Sequence, residues 1–262
     1  MSTNTIYCFS GSGNCLDIAR NIALKLGDTD IVLIRAYPDP DRYDAAGSQR
    51  VGFVFPCYAG GLPAGVEDSF RKVQIAPGTY TFGVVSCAAY PGIGLHVLNS
   101  YHPLDFWSVV SHQCSCIWLF PHDLMMPKLS AEKAQARSER LAATIGAQVL
   151  AGEKSKKAPS APGFNKLEAA AWPMLSRQKA AKMQVSDACI ACGQCVKLCP
   201  RQNIVIKDGR ASIGTDCIGC LACLQYCPKQ AIHMGGVTRK RERYHNPNVS
   251  AADLMEKVIH ID

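Results

Sequence analysis

Between residues 1 and 150, short apolar runs alternate with longer amphipathic stretches. The runs at 5–9, 31–35, 51–56, 80–86 and 109–119 predict strands. The stretches at 14–26, 63–73, 92–101 and 130–150 predict helices, the last with Ser130 and Lys133 placed for an N-cap and first turn. Apolar strands alternating with helices predict an α/β unit, a parallel sheet covered on both faces. Ligands of such sheets bind beyond the carboxyl ends of the strands.

The pattern changes after residue 150. The stretch "GEKSKKAPSAPGF" is rich in Lys, Pro, Ser and Gly and reads as a linker. Following it, "NKLEAAAWPMLSRQKAAKM" is helix-like but broken by Pro173. An internal repeat comes next: "CIACGQCVKLCP" from residue 189 returns as "CIGCLACLQYCP" from residue 217. Between the two copies, residues 204–213 read as a hairpin turning on Asp208-Gly209. The expected units are 1–150, a linker with a helical segment over 151–187, a small cysteine-rich α+β unit over 188–237, and a basic tail with a short helix over 238–262. The helix of the tail is expected from "SAAD" at 250, which has capping-box spacing with Asp in place of Glu or Gln.

Charge and cysteine content sharpen this division. The net charge is +7, yet residues 1–150 carry 11 Lys/Arg against 12 Asp/Glu, so the surplus lies in the later segments. Of the 14 cysteines, eight fall between 189 and 227. Met1–Thr5 run directly into a strand, which predicts no secretory signal, and no apolar run approaches a membrane span. In a protein expected in the cytoplasm, dense cysteine points to metal ligation rather than disulfides.

The repeat fits C-x2-C-x2-C-x3-C-P twice, as Cys189, Cys192, Cys195, Cys199-Pro200 and as Cys217, Cys220, Cys223, Cys227-Pro228. Three closely spaced thiolates wrap one face of a cubane, and the fourth cysteine of each run serves the other cluster. The expected ligand sets are therefore Cys189, Cys192, Cys195 and Cys227 for one [4Fe–4S] cluster, and Cys217, Cys220, Cys223 and Cys199 for the other. A pair of zinc sites is the competing reading, but zinc uses separated C-x2-C pairs rather than three cysteines in seven residues. Small residues at Ala191, Gly193, Gly219 and Ala222 leave room for sulfide and for backbone N–H groups.

The loop "SGSGNC", residues 10–15, joins the first strand to the first helix and contains no lysine. A P-loop needs G-K-[ST] after the glycines, and Asn14 and Cys15 stand there instead. A dinucleotide fingerprint needs Gly or Ala where Leu16 lies, and Arg35, not an acid, closes the second strand. A structural Ser/Gly turn is the plain alternative. An FMN phosphate loop fits better: Ser10, Ser12 and Asn14 offer donors, Gly11 and Gly13 let the backbone close, and a helix N-terminus attracts the anion.

That loop resembles the phosphate loop of flavodoxins, departing from it at Cys15, where the family carries a hydroxyl residue. Two further loops stand where flavodoxins hold the flavin ring. One is Pro56, Cys57, Tyr58, Ala59, Gly60 and Gly61 after the third strand; the other is Ser86, Cys87, Ala88, Ala89, Tyr90 and Gly92 after the fourth. Tyr58 and Tyr90 are placed to stack on the ring, and the two cysteines read first as small packed residues. Residues 185–235 resemble bacterial two-cluster ferredoxins. Together these segments resemble the flavodoxin–ferredoxin fusion proteins of anaerobes. The resemblance implies a flavodoxin-like doubly wound five-stranded parallel sheet followed by a ferredoxin-like unit. It also implies FMN with two [4Fe–4S] clusters, and redox protein partners: a low-potential donor and an acceptor oxidoreductase. An electron carrier is the leading function; the alternative is a flavin-dependent reductase, for which the ring loops supply no evident acid or base.

The remaining candidates are weaker. Cys8 is expected in the core. Cys114, Ser115 and Cys116 alternate as if on a strand and lack metal partners. The seven histidines show no ligand spacing. "RKRER" at 239 reads as a solvated tail or a brace against acidic cofactors, so no nucleic-acid partner is expected. Two clusters at roughly −2 each and a flavin phosphate at roughly −2 bring the holoprotein to about +1.

Overall fold

The computed structural model describes residues 2–34, 43–113, 115–117 and 130–262. Its main sheet uses β1 (Asn4–Cys8), β2 (Thr29–Leu33), β3 (Arg50–Pro56), β4 (Tyr80–Cys87), β5 (Phe106–Ser111) and β10 (Val258–Ile261). The strand order is β10-β2-β1-β3-β4-β5. The five first strands pair in parallel in the 2-1-3-4-5 order of flavodoxin-like folds, so the order of strand addition reverses between β1 and β3 and a crevice opens there.

Side chains alternate across this sheet as the period of two requires. Ile6, Cys8, Val54, Phe82 and Val84 face one layer, which α1 (Asn14–Leu26) and α4 (Ala131–Leu150) cover through Ile18, Ile22, Ile145 and Val149. Tyr7, Phe53, Phe55 and Val85 face the other, closed by Phe70 of α2 (Val66–Arg71) and Leu95 and Leu98 of α3 (Gly94–Tyr101). Cys8 is fully buried in the core, as expected. Ser130 caps α4 by accepting from the Lys133 amide at 3.4 Å.

Four expectations change. The sheet has six strands rather than five, because β10 pairs antiparallel with β2 and covers an edge that would otherwise be open. The last predicted strand ends at Ser111; Ser115 and Cys116 lie beyond it in irregular backbone, while Cys114 and residues 118–119 fall outside the described residues. Pro173 does not break its helix: α5 (Gly163–Ala180) runs through it. The "SAAD" box forms, with Ser250 and Asp253 exchanging backbone-to-side-chain bonds of 2.7 and 3.2 Å, but it starts a single 3-10 turn at Asp253–Met255.

Beyond α5, β6 (Met183–Val185) precedes the first cysteine run and α6 (Gln194–Leu198) lies within it. The predicted hairpin forms from β7 (Ile204–Lys207) and β8 (Arg210–Ile213), with both turn residues at positive φ. The second cysteine run contains α7 (Ala222–Gln225), and β9 (Ile232–Met234) pairs with β6. The sequence repeat is also a backbone repeat. Positive φ recurs at Ala191 and Gly219, at Gly193 and Leu221, and at Gln202 and Gln230. No described helix is long and apolar enough to cross a membrane.

Candidate redox site

Three cavities carry the candidate chemistry. The first lies beyond the carboxyl ends of β1, β3 and β4. Ser10, Gly11, Ser12, Asn14, Cys15, Pro56 and Ser86 line it, with Gln113 from the segment after β5. The second adjoins it, lined by Ala59, Gly60, Ala89 and Tyr90 together with Glu168, Trp172, Gly219, Cys220 and Leu221. Both cavities share Cys57, Tyr58, Cys87, Ala88, Ser115 and Cys116. The three loops expected from sequence thus converge on one continuous crevice.

Local conformation explains how. Gly13 caps α1 at φ 92° without a side-chain cap, leaving the helix N-terminus facing the loop. It does not line the cavity itself. Its back is closed, since a methyl group there would lie 2.7 Å from the Tyr226 hydroxyl and 2.9 Å from Asn246. Ala59 and Gly60, both at positive φ, form the tip of a tight turn in which Tyr58 and Gly61 exchange backbone hydrogen bonds of 2.9 and 3.0 Å. Gly61 packs on Ala169, and Gly92 packs on the Gly60 carbonyl, so these two glycines serve close approach rather than lining.

Burial fixes the protonation of the lining thiols and phenols. It pushes the Cys57 thiol up to about 12 and the Cys87 thiol up to about 11. Cys15 rises well above the usual thiol range for the same reason, and Ser86 hydrogen-bonds it. Burial also raises Tyr58. Burial thus favours the neutral form of all four side chains.

A buried polar cluster, invisible to motif reading, braces the loop from behind. The Asn246 amide donates to the Ser12 carbonyl at 2.8 Å, and the Tyr226 hydroxyl to the same oxygen at 3.2 Å. Tyr244 donates to Asn14 Oδ1 at 2.9 Å and lies 3.1 Å from His112 Nδ1. Asp17, buried in the first turn of α1, accepts from Gln135 at 2.7 Å and from Asn248 at 3.1 Å. Burial lowers the His112 pKa, keeping the ring neutral. The tail therefore braces the loop through Tyr244, Asn246 and Asn248, which lie outside every motif read from the sequence.

The third cavity is lined by Cys189, Cys192 and Cys195 of the first run and by Cys223 and Cys227 of the second, so cysteines of both runs meet there. On the other side, Cys217, Cys220 and Cys223 interact electrostatically with Cys199 of the first run, and burial is the main cause that raises all three. Backbone amides already point at sulfur: Asn203 N–H to Cys199 at 3.3 Å and Ala231 N–H to Cys227 at 3.3 Å, at equivalent places in the repeat. Gly219 N–H reaches Cys217 at 3.4 Å and Ala211 N–H reaches Cys189 at 3.5 Å. Among the described residues no three His, Cys, Asp or Glu side chains gather tightly enough to hold a single metal ion.

Arg243 supplies a further test of fit. It donates to the Ile232 carbonyl at 2.8 Å and contacts His233 at 3.0 Å, while its Nε and Nη1 atoms are buried without hydrogen-bond partners among the described residues. Cys223 and Cys227 act electrostatically on it. A half-buried guanidinium with two unpartnered nitrogens beside two cysteine sets calls for negative charge, which thiolate-ligated clusters would supply.

Residues 188–232 match the family described as 4Fe-4S dicluster domain, which supports iron–sulfur ligation by this segment. No curated protein sequence matches the chain. Similar solved structures include an FMN-dependent NADH-azoreductase from Bacillus anthracis in complex with FMN, 8% identical, covering 56% of this chain and 99% of that one, with a TM-score of 0.41. Another is the NAD(P)H:quinone oxidoreductase from Methanothermobacter marburgensis, 8% identical, covering 57% of this chain and 96% of that one, with a TM-score of 0.37. A third is rubredoxin oxygen:oxidoreductase from the anaerobe Desulfovibrio gigas, 15% identical, covering 57% and 36% respectively, with a TM-score of 0.34. At these scores the likeness says nothing of what this chain binds.

Sequence reasoning missed Gln113, Ser115 and Cys116 at the cavity, because it placed 109–119 in a strand. It also missed Glu168 and Trp172, which come from the stretch read as a linker. The only available signal was the amphipathic helix that carries them.

Proposed function

We propose that this chain is an electron-transfer protein joining two [4Fe–4S] clusters to FMN. One observation carries the reading: Gly219, Cys220 and Leu221 of the second cysteine run line the same cavity as the two strand-end loops. A methyl group on Gly11 of the first loop would collide with the Cys220 carbonyl. The cluster-binding run and the crevice are thus in direct contact.

In this reading Cys217, Cys220, Cys223 and Cys199 hold an inner cluster beside the flavin. Cys189, Cys192, Cys195 and Cys227 hold an outer cluster, whose Cys192 is exposed. The α1 N-terminus with Ser10, Ser12 and Asn14 takes the phosphate. The loops at 56–61 and 86–92, with Ser115 and Cys116, take the ring. FMN, when bound, exchanges one or two electrons and so connects one-electron carriers to a two-electron partner. The chain then divides into an FMN unit over 1–150, a connecting segment over 151–187, a cluster unit over 188–237 and a tail over 238–262. The connecting segment contributes Glu168 and Trp172 to the crevice, and the tail braces the phosphate loop from behind through Tyr244 and Asn246. A second reading, reductase action on a small substrate, is favoured by one observation: a carboxylate, Glu168, lies in the second cavity.

Anaerobic reconstitution followed by mass analysis of the released flavin and assay of iron and sulfide tests the proposal. FMN with iron and sulfide for two cubanes is expected. Ser12→Asp, which puts an acid into the phosphate nest, should release most of the flavin. FAD, or no flavin at all, would contradict the reading.

A further inference from the structure

The second cavity contains a group that electron transfer alone does not need. Glu168, on α5, places its carboxylate over the tight turn of the loop after β3, where a methyl group on Gly60 would lie 2.9 Å from Oε2. Tyr90, on the loop after β4, donates its phenolic proton to this carboxylate at 2.5 Å. Both side chains line the cavity and both reach solvent, Tyr90 being 37% exposed. The other titratable groups facing the cavity are Cys57, Tyr58, Cys87, Cys116 and Cys220. Glu168 is the one carboxylate among the described lining residues.

Two-electron reduction of a flavin also takes up a proton. Electrons arriving one at a time from iron–sulfur clusters bring none, unlike a hydride. We propose that Glu168 and Tyr90 form the proton relay that accompanies electron transfer into and out of the crevice. For each electron pair, the Glu168 carboxylate takes a proton from water and passes it to Tyr90 Oη as Tyr90, turned off the carboxylate, releases its own proton inward. Oxidation runs the exchange backwards. Charge and atoms balance with two electrons from the clusters and one proton from solvent. Burial and the bond to Glu168 hold the Tyr90 phenol above its ordinary range, so it hands a proton on rather than ionising alone.

The inference rests on the function proposed above, and the test separates the two. The holoprotein is reduced anaerobically by reduced methyl viologen, and cluster and flavin absorbance are followed in light and heavy water across a pH series. Glu168→Gln keeps an oxygen to accept the Tyr90 hydrogen bond, so α5 should stay seated. It should leave FMN content and cluster reduction unchanged but slow flavin reduction by at least about tenfold, with a larger solvent isotope effect because proton delivery then limits the rate. Tyr90→Phe should slow it as well, and Glu168→Asp should recover part of the rate. Infrared difference spectra of reduction should show a carboxyl band in the wild type that Glu168→Gln lacks. A variant with wild-type rate, isotope effect and pH profile would overturn the relay while leaving the electron chain intact. A wild-type protein that binds no flavin would overturn both.

Discussion

The two cysteine cages come from one repeated sequence and end in opposite surroundings. The first repeat presents Ile190 at 58% exposure with an exposed Cys192, and Ile206 and Lys229 help line its cavity. At the equivalent place in the second repeat Ile218 is 6% exposed, and Cys220 faces the strand-end crevice. Leu221 shows what this costs. It holds the left-handed conformation that Gly193 adopts in the first repeat, at a penalty of about 1–2 kcal/mol for a side chain with a Cβ. Its side chain is buried and lines the crevice, so packing against the cavity offsets the strain. In the function proposed above, environment rather than ligand chemistry distinguishes the cage assigned to outside partners from the one assigned to the flavin.

The largest effects should come from removing one cage at a time. Cys192→Ala and Cys227→Ala should each abolish the EPR signal of the outer cluster, whereas Cys199→Ala should abolish that of the inner one. If Cys199→Ala and Cys192→Ala lose the same signal, the crossed ligand sets are wrong. A smaller but substantial loss is expected at Trp172, which is 7% exposed and packs within 3.9 Å of the place a Gly219 side chain would occupy. Trp172→Ala should cost about 3 kcal/mol, read as lowered thermal stability with early loss of the inner signal. Equal loss of both signals would remove the distinction between the cages.

Tyr226 lies between the inner ligand Cys223 and the outer ligand Cys227, and its hydroxyl reaches the loop carbonyl of Ser12. Tyr226→Phe should weaken FMN binding by about 1 kcal/mol, several-fold in Kd by fluorescence titration, because one hydrogen bond is lost while the ring still stacks on His245 at 4.5 Å. The smallest effect belongs to the tail clamp. Arg20 bonds Asp253 at 2.7 Å and draws its carboxyl down to about 2. Because the folded value is depressed, the pair stabilises fully above the unfolded value near 4 and is lost as pH falls toward 2. Its contribution should stay under about 1 kcal/mol, since both side chains are partly exposed. The stability difference between wild type and Arg20→Ala should therefore shrink between about pH 4 and pH 2.

What sequence made legible was local. The loop at 10–15, the strand–helix alternation and the eight cysteines each carry their signal within a dozen residues, and the Asp208-Gly209 turn needs only two. What it hid was long-range. β10 is four residues long and follows a basic stretch, so nothing nearby announces that it pairs with β2. Tyr244, Asn246 and Asn248 brace α1 from more than two hundred residues away. Pro173 reads as a breaker, yet Trp172 and Ser176 on either side of it pack on Gly219, and tertiary packing overrides the local preference. Pattern located the loops that line the crevice; only contacts revealed that the linker and the tail pack against them.

The central claim is that electrons reach the flavin through the inner cage. Cys199 offers the cleanest test, because it is assigned to that cage yet lines neither crevice cavity. Cys199→Ala holoprotein, with FMN bound and the outer cluster retained, is mixed anaerobically with an acidic one-electron carrier protein and its flavin absorbance followed. The account predicts that the outer cluster is reduced as in the wild type while the flavin stays oxidised. Flavin bleaching at the wild-type rate in that variant would contradict it.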